Sequence, residues 1–352
     1  MIHDFYNMLT FVITKLAFVS VIFLITLGIA AYSTYGERKI AAFFQDRIGP
    51  NRAGPAGMFQ PLADGLKMLM KEDFIPETSN RVLFALAPGL SMLTALLTSA
   101  VIPWGTSFKI NNYEVVLQAT DINVALLYIF GVVSIGVYGI MIGGWASNNK
   151  FSLLGALRAS SQMISYELPM GMAVIALLMY TGTLSLHQIV EQQSGWNGMK
   201  WNIFFQPIGF LIFIICAFAE ANRTPFDLPE CETELVGGYH TEYSSMKLGF
   251  YLFSEYVHMF ISSAIMATLY FGGYNFPGID TVAAIVPDWA LSLITFSVLF
   301  VKILFFIFVY MWVRWTIPRF RYDQLMHLGW RILIPLAIAN IIITGCIVLF
   351  IL

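Results

Sequence analysis

The chain has 352 residues, of which 58% are hydrophobic, 15% aromatic and only 11% charged, and its mean hydropathy is +0.73. A soluble domain of this length does not carry that composition, so the chain is read as an all-α, polytopic membrane protein. The formal net charge of −2 says little in itself and no nucleic-acid partner is implied, and Cys216, Cys231 and Cys346 lack the spacing of a zinc or iron–sulfur site. No G-x-G-x-x-G or Walker A run marks a nucleotide site.

A helical span needs about 20 mostly apolar residues. Eight such stretches are predicted, at about 11–32, 84–102, 123–145, 163–180, 203–218, 250–271, 289–312 and 332–352, forming a single membrane domain over 1–352. The first lacks an A-x-A-like cleavage site and is expected to remain as a span. The loops after spans 1, 3, 5 and 7 hold 15 of the 19 Lys and Arg. Basic residues are retained on the cytoplasmic side during insertion, so these loops are predicted to be cytoplasmic and both termini to lie on the opposite side. Their main parts, 35–80, 146–162, 221–249 and 313–331, are expected to share one face.

The first of these loops contains YGERK and then GPNRAGPAG, which is too rich in Gly and Pro to continue a helix. Beyond it Met58, Leu62, Leu66, Leu69 and Met70 recur at helical spacing, with Asp64, Lys67 and Lys71 on other faces. That pattern predicts an amphipathic helix, lying either in the membrane interface or against its own bundle. The next loop delivers Tyr166 and Glu167 to the start of span 4. An acid there marks either an ion pathway or a satisfied structural site, and Pro169 is expected to kink the helix.

The loop after span 5 collects Glu220, Arg223, Asp227, Glu230, Glu232, Glu234 and Glu242. Pro225 and Pro229 break the helix, and Asp227, Glu230 and Glu234 share a face if their own segment is helical. Carboxylates that close cannot all stay ionised, so some should titrate nearer neutrality and load and release protons. A solvated acidic face is the alternative. In span 6 Glu255 and His258 lie three apart on one face; Glu255 is expected to relay protons, His258 either to do so or to pack. Lys302, inside span 7, is expected to be a counter-ion for a buried acid.

Several motifs now point to a family. GERK at 36–39, QDRIGPNR at 45–52, QPLADGLK at 60–67, SSQMISYE at 160–167, the run from NRTPFDLPE through ELVGGYHTEYSSMK at 222–247 and RWTIPRFRYDQLM at 314–326 resemble the H-subunit family of bacterial NADH:quinone oxidoreductase. Its mitochondrial counterpart is subunit 1 of complex I. The resemblance covers nearly the whole chain and implies a membrane subunit that anchors the quinone-reducing hydrophilic arm. It further implies an isoprenoid-quinone tunnel and an acidic path toward antiporter-like subunits.

Carried over by residue, the resemblance places Glu37, Arg38 and Asp64 beside the tunnel. Asp227, Glu230, Glu232 and Glu234 would form an acidic loop at the quinone chamber, and Glu167 and Glu255 would continue the path. Arg314, Arg319 and Arg321 suit a docking surface or chamber wall, although topology alone also accounts for them. Quinone is the implied substrate; NADH, flavin, iron–sulfur clusters and metal are left to partner subunits. The implied location is a bacterial plasma membrane, with the mitochondrial inner membrane as the alternative. Cys231 stands where the family has a small residue, Ser245 where Gly is common, and His258 lies outside the pattern. The membrane subunit of an energy-converting hydrogenase and a stand-alone transporter are the competing readings.

Overall fold

The computed structural model describes residues 2–110, 113–227 and 237–351, with side chains over 12–107, 116–227 and 237–350. The long helices are α1 (Ile2–Phe44), α2 (Gln60–Met70), α3 (Arg81–Thr98), α4 (Ala125–Ala146), α5 (Lys150–Thr181), α6 (Pro207–Glu220), α7 (Ser245–Tyr270) and α8 (Asp288–Thr316). The last, α9, starts at Tyr322–His327, passes a π-helical turn at Leu328–Leu333 and continues as Ile334–Ile351. A small antiparallel hairpin pairs Phe108–Ile110 with Tyr113–Val115. Among the described residues seven helices are long and apolar enough to cross a membrane, and α6 is a shorter apolar one.

The hydropathy boundaries miss helix where polar residues continue it. Helix α1 runs through GERK to Phe44, because Glu, Arg, Lys and Ala are strong helix formers that merely end the apolar window. The expected loop at 146–162 is likewise mostly helical. Asn149 caps α5 by accepting from the Phe151 amide at 2.9 Å, so only 147–149 separate it from α4. Pro169 sits inside α5 without ending it, and Gly182, at φ 68°, closes its C-terminus in the left-handed conformation.

Helix α7 is the hub, packing on α1, α2, α3, α6 and α8; 67% of its apolar stretch is buried, against 11% for α1. Close approach depends on small residues of α4. A Cβ at Gly143 would stand 2.1 Å from the Tyr251 hydroxyl, and one at Gly144 2.3 Å from the Ala156 Cβ.

The 14 residues of α6 span about 21 Å, short of the roughly 30 Å hydrocarbon core. Backbone groups left free at such a depth must be bonded inside the protein, and buried side chains do so. Gln193 Nε2 donates to Thr268 O at 3.0 Å, and its Oε1 accepts from the Gly272 amide at 2.9 Å. Asn202 Nδ2 reaches Leu269 O at 2.8 Å. Lys302 Nζ donates to the carbonyls of Phe271 at 2.7 Å, Gly273 at 2.8 Å and Asn275 at 2.5 Å. The expected acidic partner of Lys302 is therefore replaced by the carbonyl-rich turn after α7, whose negative dipole end suits a cation.

Candidate functional site

Because α1 continues beyond its apolar part, it carries Glu37 into the protein rather than into solvent; the residue is 6% exposed. Two arginines meet its carboxylate. Arg223 Nη1 donates to Oε2 at 3.0 Å, and Arg314 Nε lies 3.2 Å from Oε1. Arg223 comes from the turn after α6 and Arg314 from the end of α8, so the acid joins three separated segments. The Arg223 guanidinium lies 4.0 Å from the centroid of the Tyr256 ring, a favourable cation–π placement. Burial works against its charge, but Tyr256, Glu37 and Glu255 more than offset that and raise its affinity for the proton. Its Nε and Nη2 have no hydrogen-bond partner among the described residues. A buried guanidinium with two donors unpaired among the described residues is chemically suited to a carbonyl or other oxygen acceptor.

Arg38, the next residue, points the other way and pairs with Asp64 of α2 at 2.9 Å. Gln60 Nε2 also donates to Asp64 at 3.0 Å. The amphipathic helix is thus fastened to α1 by its polar face, while Leu62, Leu66, Leu69 and Met70 stay exposed. Between α1 and α8 runs an open, mainly apolar groove of about 370 Å³, lined by Gly28, Tyr32, Ser33, Gly36, Leu304 and Met311 among others. Ser33, Gly36 and Ile40 in that lining flank Glu37 in sequence.

The TPFD turn is held by α5 and by the segment after α8. Gln162 Nε2 donates to Ala219 O at 3.0 Å and to Phe226 O at 2.7 Å. The Phe320 amide donates to Pro225 O at 3.1 Å, and the Thr224–Pro225 bond is cis. Asp227 is 3% exposed, with Arg319 Nη2 3.7 Å from its Oδ2. Glu230, Glu232 and Glu234 lie outside the described residues.

The GGYHTEY segment packs beneath α3, α4 and α5. Ser152 Oγ donates to Tyr239 O at 2.7 Å, and Asn149 Nδ2 donates to Glu242 at 2.6 Å. Tyr243 stacks on Phe84 at 4.1 Å and donates to Phe84 O at 3.2 Å. Burial pushes its hydroxyl up to about 12, so it remains a donor at neutral pH. Ser245, where Gly was expected, has φ 53°, the conformation that favours glycine; its hydroxyl donates to Met68 O at 2.9 Å.

Deeper in the bundle, Glu167 of α5 accepts a short hydrogen bond from Ser134 of α4. Glu255 of α7 is 9% exposed and lines a small cavity with Glu220, Asn222, Tyr239, Ser254 and His258. Of the residues expected to act, Glu37, Arg38, Asp64 and Asp227 therefore gather toward the basic side. Glu167 and Glu255 lie further along the helices. The amino-acid sequence assigned no partner to Arg223 and left Arg314 open between a docking surface or chamber wall and a topology determinant. The one clue was that Arg223 is the sole cation in the acidic run.

The family model described as "NADH dehydrogenase" matches residues 16–345. The chain is 65% identical over 339 residues to a protein of Flavobacterium johnsoniae named as the H subunit of NADH-quinone oxidoreductase, covering 96% of each chain. It is 63% identical to the corresponding H subunit, numbered 1, of Cytophaga hutchinsonii, covering 97% of this chain and 98% of that one. It is 50% identical to "NADH-quinone oxidoreductase subunit 8" of Rhodothermus marinus, covering 89% of this chain and 91% of that one.

Proposed function

Since the chain belongs to the H-subunit family of NADH-quinone oxidoreductase, and so is a multi-pass membrane subunit of complex I, we propose that it admits the quinone from the bilayer and couples its reduction to proton movement. The observation that carries this reading is the Glu37 carboxylate held between Arg223 and Arg314, beside a groove open between α1 and α8. An isoprenoid quinone enters along the groove, and its polar head advances toward the Arg223 guanidinium. Arg38 and Asp64 fix α2 at the mouth.

Reduction adds two electrons and two protons to the quinone to give the quinol. The electrons come from NADH through the hydrophilic-arm subunits, since this chain is assigned no redox centre. The protons and the change in charge are felt by Asp227 and by Glu230, Glu232 and Glu234. The response then passes through Glu167 and Glu255 toward antiporter-like subunits. On this reading the basic loops face the cytoplasm of a bacterium and both termini lie outside, in agreement with the distribution of Lys and Arg.

The test is to tag the chain, purify the assembly in mild detergent and measure NADH-driven reduction of a soluble quinone analogue, then proton uptake in liposomes. Activity that falls in Glu37→Gln and in Asp227→Asn, with assembly intact, supports the reading. Hydrogen evolution without quinone reduction would favour the hydrogenase alternative, and a stable solitary protein the transporter.

A further inference from the structure

We propose that His258 carries protons, standing with Glu220 between two water-sized chambers inside the bundle; this deepens the coupling role proposed above and rests on it. The first chamber is polar, about 10 Å³, with Ser91, Asn222, Tyr239, Ser254 and Glu255 in its wall. The second is about 20 Å³ and mostly apolar, walled by residues such as Leu126, Val133, Met170 and Ile265. Glu220 and His258 belong to both walls. A site needs roughly 10–15 Å³ to hold one water, so each chamber has about the room of a single molecule.

The two shared residues come from different helices, α6 and α7, and Glu255 precedes His258 by one helical turn. The polar chamber therefore presents two acids and an imidazole in one wall, and the imidazole and one of the acids, Glu220, also reach the apolar chamber. A backbone oxygen of Ser91 on α3 faces the ring. A ring nitrogen bonded to such an acceptor leaves the other to exchange a proton. On the α4 side Gly136 leaves the ring room; even a Cβ there would stand 4.0 Å from Cε1.

A packing histidine needs only the Ser91 contact. Nothing in packing accounts for an imidazole shared between a polar and an apolar chamber beside a carboxylate. The transfer balances at each step. Protonated Glu255 gives its proton, directly or through the polar chamber's water, to neutral His258; the resulting imidazolium gives it to ionised Glu220. The titratable groups facing His258 are Glu220 from α6, Tyr239 from the turn before α7 and Glu255 on its own helix. The α3, α4 and α5 residues in the polar wall, Ser91, Gly136, Ile140 and Met163, do not titrate. Glu167 of α5 acts electrostatically on Glu220 from beyond the chamber.

The experiment uses the assembled complex in proteoliposomes and compares His258→Gln, His258→Asn and Glu255→Gln for quinone reduction, protons moved per NADH and the pH profile of both. Loss of an acid–base group typically costs two orders of magnitude or more in the step it serves, so proton-coupled turnover in both His258 variants should fall at least about tenfold. The limb of the pH profile due to the imidazole should disappear, a change that lost packing would not produce. If either assembled His258 variant keeps wild-type rate, stoichiometry and profile while Glu255→Gln is impaired, the inference is overturned and the coupling reading stands. If Glu255→Gln is silent as well, the coupling reading itself fails.

Discussion

Arg223 reaches Glu37 across 186 positions of sequence, and the two buried side chains form a 3.0 Å hydrogen bond. A buried pair of this kind adds little to stability while intact, but breaking it strands a charge in a medium that solvates it poorly.

Glu37→Gln should therefore be more damaging than its size suggests. It removes the shared counter-charge of Arg223 and Arg314, and a cost of about 3–5 kcal/mol is expected. The thermal midpoint of the purified assembly, followed by loss of quinone reductase activity, reports it. Arg223→Met in the Glu37→Gln background should restore part of the midpoint but none of the activity. Full stability of the single Glu37→Gln variant would contradict the clamp.

Asp227 and its partner should behave unequally. Asp227 is 3% exposed, whereas the Arg319 side chain is 40% exposed and 3.7 Å away. Arg319→Gln should cost less than about 1 kcal/mol, with its effect on activity shrinking as salt rises toward 1 M. Asp227→Asn should abolish most quinone reduction at every salt concentration. Activity assays of both variants between low and high salt check the pair, and equal, salt-independent losses would contradict it.

Gln162→Ala should loosen the TPFD turn. It withdraws the side-chain donor from Phe226 O and from Ala219 O, of which Ala219 O keeps the Asn222 amide at 3.4 Å, and weakening a buried acceptor in this way costs about 1–3 kcal/mol. Hydrogen exchange should rise in peptides covering 219–227 while those covering α3 stay unchanged. Uniform exchange across the chain would indicate global destabilisation instead.

Lys302→Met keeps the apolar length of the side chain but frees the carbonyls of Phe271, Gly273 and Asn275 at once. The variant should assemble poorly, and Lys302→Arg should recover more of the complex than Met does, because a guanidinium can still donate to several oxygens. The yield of intact assembly on a sizing column measures this, and equal yields from the two variants would contradict it.

These cases also show where the amino-acid sequence is informative. Apolar runs of membrane length announce themselves, so the helices were legible, including the amphipathic Gln60–Met70 segment. Their ends were not, because hydropathy stops at GERK while helix propensity continues to Phe44. The acids at 227 and 255 were marked by the energetic oddity of charge in such a chain, whereas those at 37 and 64 came from the family resemblance. Their partners were not, since nothing local to Arg314 or Arg223 says that both converge on Glu37. Lys302 misled for a related reason. A cation inside a span suggests a carboxylate, and only the folded chain reveals that the turn after a helix can supply oxygen without formal charge.

Helix α1 is a single run of 43 residues, about 65 Å long. Near one end it is moored by the two arginines on Glu37; toward the other, Lys15 Nζ donates to Gln118 O at 2.8 Å. Between these moorings only 11% of its apolar stretch is buried. It is a strut pinned at both ends, packed on α7 and α8 along one side and bare along the other. On the proposed reading a hydrocarbon chain would run along that bare side, and neither mooring would have to let go.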